Sequence, residues 1–272
     1  MAAGQPNESA AQAPVAAANA EIAAANAQVE AARPDVTIVV TSYNQGPFIA
    51  EAVASALAQT VPCRVVVVDD GSDDDSVQTA SALGVEVVSL PHGGAIAAFR
   101  AGVARVATPF YCLLNADDVF EPTYVARTRP LLADPRVGFV YTGVRYIGTQ
   151  SGVVAGRPFD AGALRFGNFA HASSLVRKAA YEAVGGFDAV FADHHEDWAL
   201  WAAMVSTGWL GAGVDEPLLQ YRKHAAPSRN PQRIRDRESA RWRIARRHPR
   251  WYGVTGFARL GASSLKLLLT GG

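Results

Sequence analysis

Three oxygen-rich side chains follow directly on a short apolar run near the middle of the chain. Asn115, Asp117 and Asp118 come after the run at 110–114. In an open α/β sheet, ligands bind outside the carboxyl ends of the strands. Two adjacent carboxylates there repel each other unless a positive charge lies beside them, and Mg2+ and similar hard cations prefer oxygen ligands. The stretch therefore favours a site for a divalent cation that carries a phosphate, with an acid-rich helix N-terminus as the alternative.

Three further polar clusters have a similar placement, after an apolar run or at the start of a helical pattern: 41–44, 69–73 and 193–197. Because the strand ends of one parallel sheet converge on a single crevice, we expect the four clusters to form one site. In it, Thr41 and Tyr43 offer a hydroxyl and a ring, and Asp70 offers a fixed acceptor for a base or a ribose. With metal-side oxygens from Asn115 and Asp117, this equipment suits a nucleotide diphosphate bound through a cation.

Two glycine-rich phosphate motifs are missing from the sequence. No Gly-x-Gly-x-x-Gly follows the first strand, which disfavours the dinucleotide fold of dehydrogenases, and no Gly-x-x-x-x-Gly-Lys-Ser/Thr occurs, which removes the P-loop. Metal and side chains therefore have to bind the phosphates.

To bring these polar clusters to one edge of a sheet, strands and helices must alternate along the chain. The pattern of apolar residues predicts this alternation. Four β-branched or apolar runs predict buried strands at 36–40, 64–68, 85–90 and 110–114. Helical patterns separate them, from Pro47, over 76–82 and over 95–106. This alternation predicts an α/β fold with a parallel, doubly wound sheet.

The second half of the pattern is less regular. It predicts a helix from 122 to about 133, a strand at 137–141, helices at 178–184 and 196–205, and one or two strands over 210–221. Residues 142–170 are interrupted by glycines and are expected to form strands and loops over one face of the sheet.

Composition limits the class of protein. The chain has 272 residues, is 49% hydrophobic, and carries 25 basic and 25 acidic residues, which allows one large domain or two small ones. A formal net charge of zero gives no whole-molecule field that would attract nucleic acid. No secretory signal and no apolar run of membrane-spanning length occurs, and Cys63 and Cys112 are expected to be free thiols, so the predicted location is cytoplasmic.

Both ends of the chain differ from its centre. Residues 1–33 are rich in alanine, and a heptad spacing of Val15, Ile22 and Val29 predicts a marginal helical extension, with self-association as the minor alternative. Residues 229–272 are basic and then apolar, which suits a helix that packs on the domain with an arginine-rich outer face. Peripheral membrane contact through an interfacial helix is the second interpretation of that tail.

Seven motifs, in order along about 70% of the chain, resemble family 2 glycosyltransferases of the GT-A fold: Val36–Asn44, Val67–Ser72, His92–Ala98, Leu114–Asp118, Gly185–Asp188, Glu196–Asp197 and Tyr221–His224. The resemblance implies a Rossmann-like, mostly parallel sheet between helices over residues 34–228. It also implies an inverting transfer, of the hexosyltransferase type, from a nucleotide-diphosphate sugar to a saccharide, lipid-linked or protein acceptor, with Mn2+ or Mg2+.

Site roles follow from the same resemblance. Thr41, Tyr43 and Asp70 would bind the nucleobase, with uracil favoured and Gly94 also on the donor side. Asn115 and Asp117 occupy the first and last positions of the Asp-x-Asp motif, so Asp117 would bind the metal. Asp118 would support the metal site or touch the donor sugar. His224 would reach the metal or the diphosphate. Asp197 matches the catalytic base, with Glu196 as the alternative base.

The sequence departs from the family pattern at two places. Asn115 replaces the more common Asp, which removes a charge from the metal site, and the helix after Gly94 reads Ala97-Ala-Phe-Arg100 where the family often has Ala-Ala-Arg-Asn. Asn115 keeps open the alternative of a catalytically silent nucleotide-sugar binder or scaffold. A sugar nucleotidyltransferase is the other alternative, although its usual glycine- and arginine-rich loop after the first strand is absent.

Overall fold

Four parallel strands form one half of the central sheet in a computed structural model of the chain, which describes residues 33–192, 195–224 and 231–270. In chain order they are β1 (Val36–Ser42), β2 (Arg64–Asp69), β3 (Glu86–Ser89) and β4 (Phe110–Asn115). They lie in the order β3-β2-β1-β4, with every neighbouring pair parallel. The predicted parallel sheet is confirmed for this half.

The β-branched residues of β1 explain its central position. All seven of its residues are buried, as expected for a strand with helices over both faces. Successive side chains point to opposite faces, and accordingly Ile38 and Val40 belong to one apolar cluster while Val39 belongs to the other. Each fully buried valine or isoleucine contributes about 1.5–3 kcal/mol relative to exposure.

The other half of the sheet mixes parallel and antiparallel pairs. It contains β5 (Val119–Phe120), β6 (Val137–Gly148), β7 (Gly152–Val154), β8 (Leu175–Arg177) and β9 (Leu210–Lys223). Beyond β4 the order is β8-β6-β9-β5, and β7 pairs with β6 outside this order. Because β8 runs antiparallel to β4, with Leu175 opposite Cys112, the residues before β8 approach the carboxyl end of β4.

Helices cover both faces. They are α1 (Gly46–Leu57), α2 (Ser76–Ala82), α3 (Ala95–Ala104), α4 (Tyr124–Thr128), α5 (Ala161–Leu164), α6 (Lys178–Ala183), α7 (Glu196–Ser206), α8 (Pro231–Arg247) and α9 (Pro249–Thr270). Buried residues of α1 join the cluster of Ile38, whereas those of α3 and α7 join the cluster of Val39.

Two predicted elements differ from the structure, and two short strands were not predicted. The helix expected to reach about 133 ends at Thr128 and continues as a 3-10 turn over Arg129–Ala133, because Pro130 has no N–H to donate to the preceding turn. Strand β6 extends to Gly148, into the region expected to be irregular, since it pairs with β9 through several register shifts. The short strands β5 and β8 have too few residues for an apolar pattern to reveal them.

The C-terminal helices pack on the domain. Ala240 and Ile244 of α8, and Tyr252 and Leu260 of α9, are buried in the cluster that contains α7. Gly253 interrupts α9 with a φ of 63°, a left-handed conformation that glycine adopts without steric cost. These contacts agree with the interpretation that the tail packs on the domain, and they give no support to membrane contact.

Among the described helices, none is both long and apolar enough to span a bilayer. The predicted N-terminal helix lies outside the described residues, apart from Arg33.

Candidate active site

Strand register brings the predicted donor-side residues to one edge of the sheet. Thr41 pairs with Val68 on one side and with Asn115 on the other, and Ser42 lies opposite Asp69. The carboxyl ends of β1, β2 and β4 therefore meet, as the polar clusters predicted. Thr41 itself is only 8% exposed, which leaves little of its side chain for a ligand.

Asp70 binds the backbone of the next loop. Its two carboxylate oxygens accept from the N–H groups of Gly93 and Gly94, at 2.9 and 2.8 Å, and Nδ1 of His92 lies 3.0 Å from Oδ2. Gly94 adopts a φ of 85°, so a side chain at this position would be strained. Asp70 is 3% exposed and therefore shapes the 92–94 turn, whereas the sequence suggested only a ligand for a base or ribose.

A ring pair lies beside this turn. Tyr43, which is 42% exposed, stacks on His92 with ring centroids 4.1 Å apart and an interplanar angle of 23°. An accessible aromatic ring offers a face on which a planar base can stack. Sequence reasoning named Tyr43 but missed His92, although the His92–Gly94 motif was its signal.

Asp118 is the buried member of the acidic stretch. Its Oδ1 accepts from the N–H of Arg222 at 2.9 Å, and its Oδ2 accepts from Nδ2 of Asn115 at 3.2 Å. Burial, and then the charge of Asp117, raise the pKa of Asp118 to about 7. This geometry explains Asn115: an amide donates to the buried carboxylate, whereas an aspartate there would repel it.

Asp117 is the carboxylate that stays accessible. Its Oδ2 lies 2.7 Å from Nε2 of His224, and the side chains are 20% and 52% exposed. In the described part of the chain, no three His, Cys, Asp or Glu side chains gather as a metal site. A carboxylate oxygen and an imidazole nitrogen nevertheless suit Mn2+, and Mg2+ sites for nucleotides often use one or two carboxylates with phosphates and water. The residues therefore fit an open site that a diphosphate would complete.

Arg222 fixes the last strand over this stretch, and sequence reasoning missed its role. Its Nε donates to the carbonyl of Asp117 at 2.8 Å, and Nη2 pairs with Glu51 at 2.6 Å. Its guanidinium also lies 4.7 Å from the ring centroid of Phe48. Arg222 thus places His224 beside Asp117 across more than a hundred residues of sequence.

Asp197 is in the first turn of α7, away from the acidic stretch in sequence. Its Oδ2 accepts from Nδ2 of Asn168 at 2.8 Å, and its Oδ1 accepts from the N–H of Trp198 at 2.6 Å. Burial, and then the neighbouring charge of Glu196, raise the pKa of Asp197 to about 7. Asn168 lies in the region where the sequence offered no motif. Of the predicted 193–197 cluster, Asp193 and His194 lie outside the described residues.

Two buried tryptophans join α7 to the segment that carries Asn168. Nε1 of Trp198 donates to the carbonyl of Leu164 at 2.7 Å, and Nε1 of Trp201 donates to that of Ala170 at 3.1 Å. Cavities of about 560 and 370 Å3 open on this segment, and Asn168 lines both. The residue that hydrogen-bonds the base candidate therefore borders open space.

Comparison with known proteins identifies the family. Residues 37–182, more than half of the chain, match the model for glycosyl transferase family 2. The succinoglycan biosynthesis protein ExoU of Rhizobium meliloti (strain 1021) is 36% identical over 127 residues, 44% of this chain and 36% of ExoU. Chondroitin synthase of Pasteurella multocida (strain Pm70) is 31% identical over 129 residues, 45% of this chain and 13% of the synthase. The chain thus spans well under half the length of these relatives.

Solved structures share the fold. S. aureus TarS 1-349 in complex with UDP-GlcNAc aligns with a TM-score of 0.64 at 14% identity, over 77% of this chain and 66% of that one. The mannosyltransferase PcManGT from Pyrobaculum calidifontis, in complex with GDP-Man and Mn2+, aligns with a TM-score of 0.58 at 22% identity, over 77% and 62%. At these identities the likeness supports the GT-A fold alone.

Proposed function

The chain belongs to glycosyl transferase family 2, and from that premise we propose that it transfers a sugar from a nucleotide-diphosphate donor, a UDP-sugar by preference, to an acceptor hydroxyl. One observation carries the proposal. A carboxylate with a pKa near 7, Asp197, accepts a hydrogen bond from Asn168, and Asn168 lines two open cavities. A general base works best when its pKa lies near the pH of the reaction.

The donor is assigned to the edge formed by β1, β2 and β4. Tyr43 stacked on His92 offers a surface for the base, and Asp70 sets the turn that ends at Gly94. Structural neighbours in complex with UDP-GlcNAc, or with GDP-Man and Mn2+, support a nucleotide sugar as the donor. Asp117 and His224 would bind Mn2+ or Mg2+, which when bound neutralises negative charge on the leaving diphosphate.

Asp197 is assigned the proton transfer. It accepts the proton of the acceptor hydroxyl while the hydroxyl oxygen bonds to the anomeric carbon, and the bond from that carbon to the diphosphate breaks. Asn168 orients the carboxylate, and the raised pKa gives the acid enough basicity to take the proton near neutral pH. One displacement with one base inverts the anomeric centre.

A thermal-shift panel tests the proposal. Wild-type protein is mixed with UDP-, GDP- and dTDP-sugars, each with and without Mn2+, because a ligand that binds the native state raises the melting temperature. We expect a UDP-sugar with Mn2+ to give the largest shift, followed by nucleotide release on incubation. No shift and no release with any donor would favour the scaffold alternative.

A further inference from the structure

The larger cavity beside Asn168 is rich in arginine. The cavity has a volume of about 560 Å3. It is lined by four arginines, Arg157, Arg165, Arg237 and Arg259, and by a single acid, Asp160. The acid is already engaged, because Oδ1 of Asp160 accepts from the N–H of Ala163 at the start of α5. The cavity therefore carries an excess of positive charge.

These four arginines differ from most others in the described residues. Arg64, Arg127 and Arg136 each form an ion pair with a nearby carboxylate. None of the four cavity arginines forms an ion pair with any described carboxylate. Nε of Arg165 is buried without a hydrogen-bond partner in the described structure, whereas buried donors in proteins are ordinarily satisfied.

Aromatic rings position three of the guanidinium groups. Arg157 lies 4.7 Å from the ring centroid of Phe169, Arg165 lies 5.3 Å from that of Trp251, and Arg259 lies 4.4 Å from that of Phe166. A cation over a ring is stabilised by about 0.5–1 kcal/mol at an exposed site. A stacked guanidinium uses its face for this contact, so its N–H edge is still available for an anion.

The cavity adjoins the proposed base. Nη2 of Arg237 lies against Gly167, where an added Cβ would be 2.8 Å away, and Gly167 directly precedes Asn168. Tyr252 of α9 donates to the carbonyl of Arg165 at 2.5 Å, which joins the C-terminal helices to the same segment. An anion among the arginines would thus be close to the group that orients Asp197.

We propose that this cavity binds a phosphate group of the acceptor and thereby places the acceptor hydroxyl near Asp197. The inference rests on the proposed glycosyl transfer and names its acceptor class, a phosphate-bearing sugar. Guanidinium groups bind phosphate through paired N–H donors, and a phosphate ester brings a charge of about −1.5 to −2 with three acceptor oxygens. A carboxylate brings a single charge and two acceptor oxygens, so it offsets less of the positive charge of the cavity than a phosphate group does.

Isothermal titration with three matched sugars tests the proposal. Glucose, glucuronic acid and glucose 6-phosphate share a ring and differ in a hydroxymethyl, a carboxylate or a phosphate group. We expect glucose 6-phosphate to bind at least about tenfold more tightly than the other two, and to weaken as salt is added, because exposed charges are screened. Equal binding of all three sugars, or equal binding of the two acids, overturns the proposal.

A matched pair of double variants locates the site. In R237Q/R259Q the advantage of glucose 6-phosphate should disappear, and with a phosphorylated acceptor the acceptor KM should rise more than kcat falls. In R246Q/R250Q, which removes two exposed arginines from the same helices but outside the cavity, the advantage should persist. The same loss in both pairs overturns the assignment to the cavity.

Two further measurements separate other outcomes. Vesicles of phosphatidylglycerol present phosphate as part of a lipid headgroup. The proposal is contradicted if the protein binds these vesicles through Arg237 and Arg259 but does not bind glucose 6-phosphate. UDP-sugar binding with Mn2+ is measured in the same samples. Donor binding without phosphate selectivity rejects this inference alone, whereas absence of donor binding rejects the proposed function.

Discussion

The proposed donor side, at the ends of β1, β2 and β4, and the proposed acceptor side, the arginine-rich cavity, use their charged groups in opposite ways. At the ends of β1, β2 and β4, most carboxylates bind the protein's own chain: Asp69 accepts from Ser72, Asp70 from Gly93 and Gly94, and Asp118 from Arg222. Asp117 is the accessible exception. On the proposed acceptor side, the cavity arginines form no ion pair with a carboxylate of the described residues. The carboxylates of the proposed donor side are therefore used mainly to hold the fold, whereas the cavity has positive charge that the described chain does not neutralise.

Replacing Asp197 with Asn should produce the largest effect. General-base catalysis contributes about 10²–10⁴-fold, so kcat should fall by that factor while donor binding, measured by titration with a UDP-sugar, should change little. Glu196→Gln, in the same helical turn, is the matched control and should lower kcat by less than about tenfold. A comparable loss from both variants would remove the distinction between the two acids.

Removing the accessible carboxylate tests the donor side. Asp117→Asn should weaken Mn2+-dependent donor binding by about a hundredfold, and His224→Ala by about tenfold, since each removes a proposed ligand. The exposed Asp73 provides a control, because Asp73→Asn removes a charge from the same edge at a residue that has no proposed role in binding. If the donor affinity of Asp117→Asn still depends on Mn2+ as in wild type, the ligand assignment is wrong.

The pH profile of Asn168→Ala tests the positioning of the base. The hydrogen bond from Asn168 favours the charged form of Asp197, so its loss should raise the pKa of Asp197 above about 7. The base acts only when deprotonated, and the acidic limb of kcat/KM should therefore move to higher pH, with a loss of about tenfold at pH 6. Recovery at pH 9 distinguishes this effect from a structural defect, which would lower kcat at every pH.

Asn115→Asp should have the smallest effect, and it concerns stability. The variant removes the N–H donor to Asp118 and adds a like charge, so the free energy of unfolding should fall by about 1 kcal/mol at pH 8. The folded pKa of Asp118 is raised to about 7, above its usual value, so its protonated form contributes stability that is lost as the pH rises through 7. At pH 5 Asp118 is protonated and the cost of the variant should shrink. Urea unfolding at both pH values provides the measurement, and an equal or larger cost at pH 5 would contradict the account of Asn115.

Sequence predicts the donor side better than the acceptor side, for a physical reason. Strands β1, β2 and β4 each contain a run of β-branched or apolar residues. A polar cluster directly follows each run, so local pattern places Tyr43, Asp70 and Asp117 at one edge. Asn168 lies in a segment without periodicity, and its contact with Asp197 joins residues 29 positions apart. Two cavity arginines, Arg237 and Arg259, come from the C-terminal helices. The charge pattern predicted an outward-facing position for Arg237 and made no prediction for Arg259.

Long-range contacts also explain what was missed near the metal candidates. The pairing of β5 with β9 brings His224 to Asp117, and the backbone N–H of Arg222 completes the burial of Asp118 across 104 positions of sequence. No local pattern carries that information. The family motif at 221–224 was the signal available.

The anomeric configuration of the released sugar shows whether transfer is a single displacement assisted by Asp197. Protein is incubated with Mn2+ and the α-linked UDP-sugar that gives the largest thermal shift, and proton NMR follows the first sugar formed by transfer to water, before mutarotation. We expect the β-anomer to appear first and Asp197→Asn to slow its appearance. Initial release of the α-anomer would contradict this expectation, because retention requires a carboxylate nucleophile on the opposite face of the sugar.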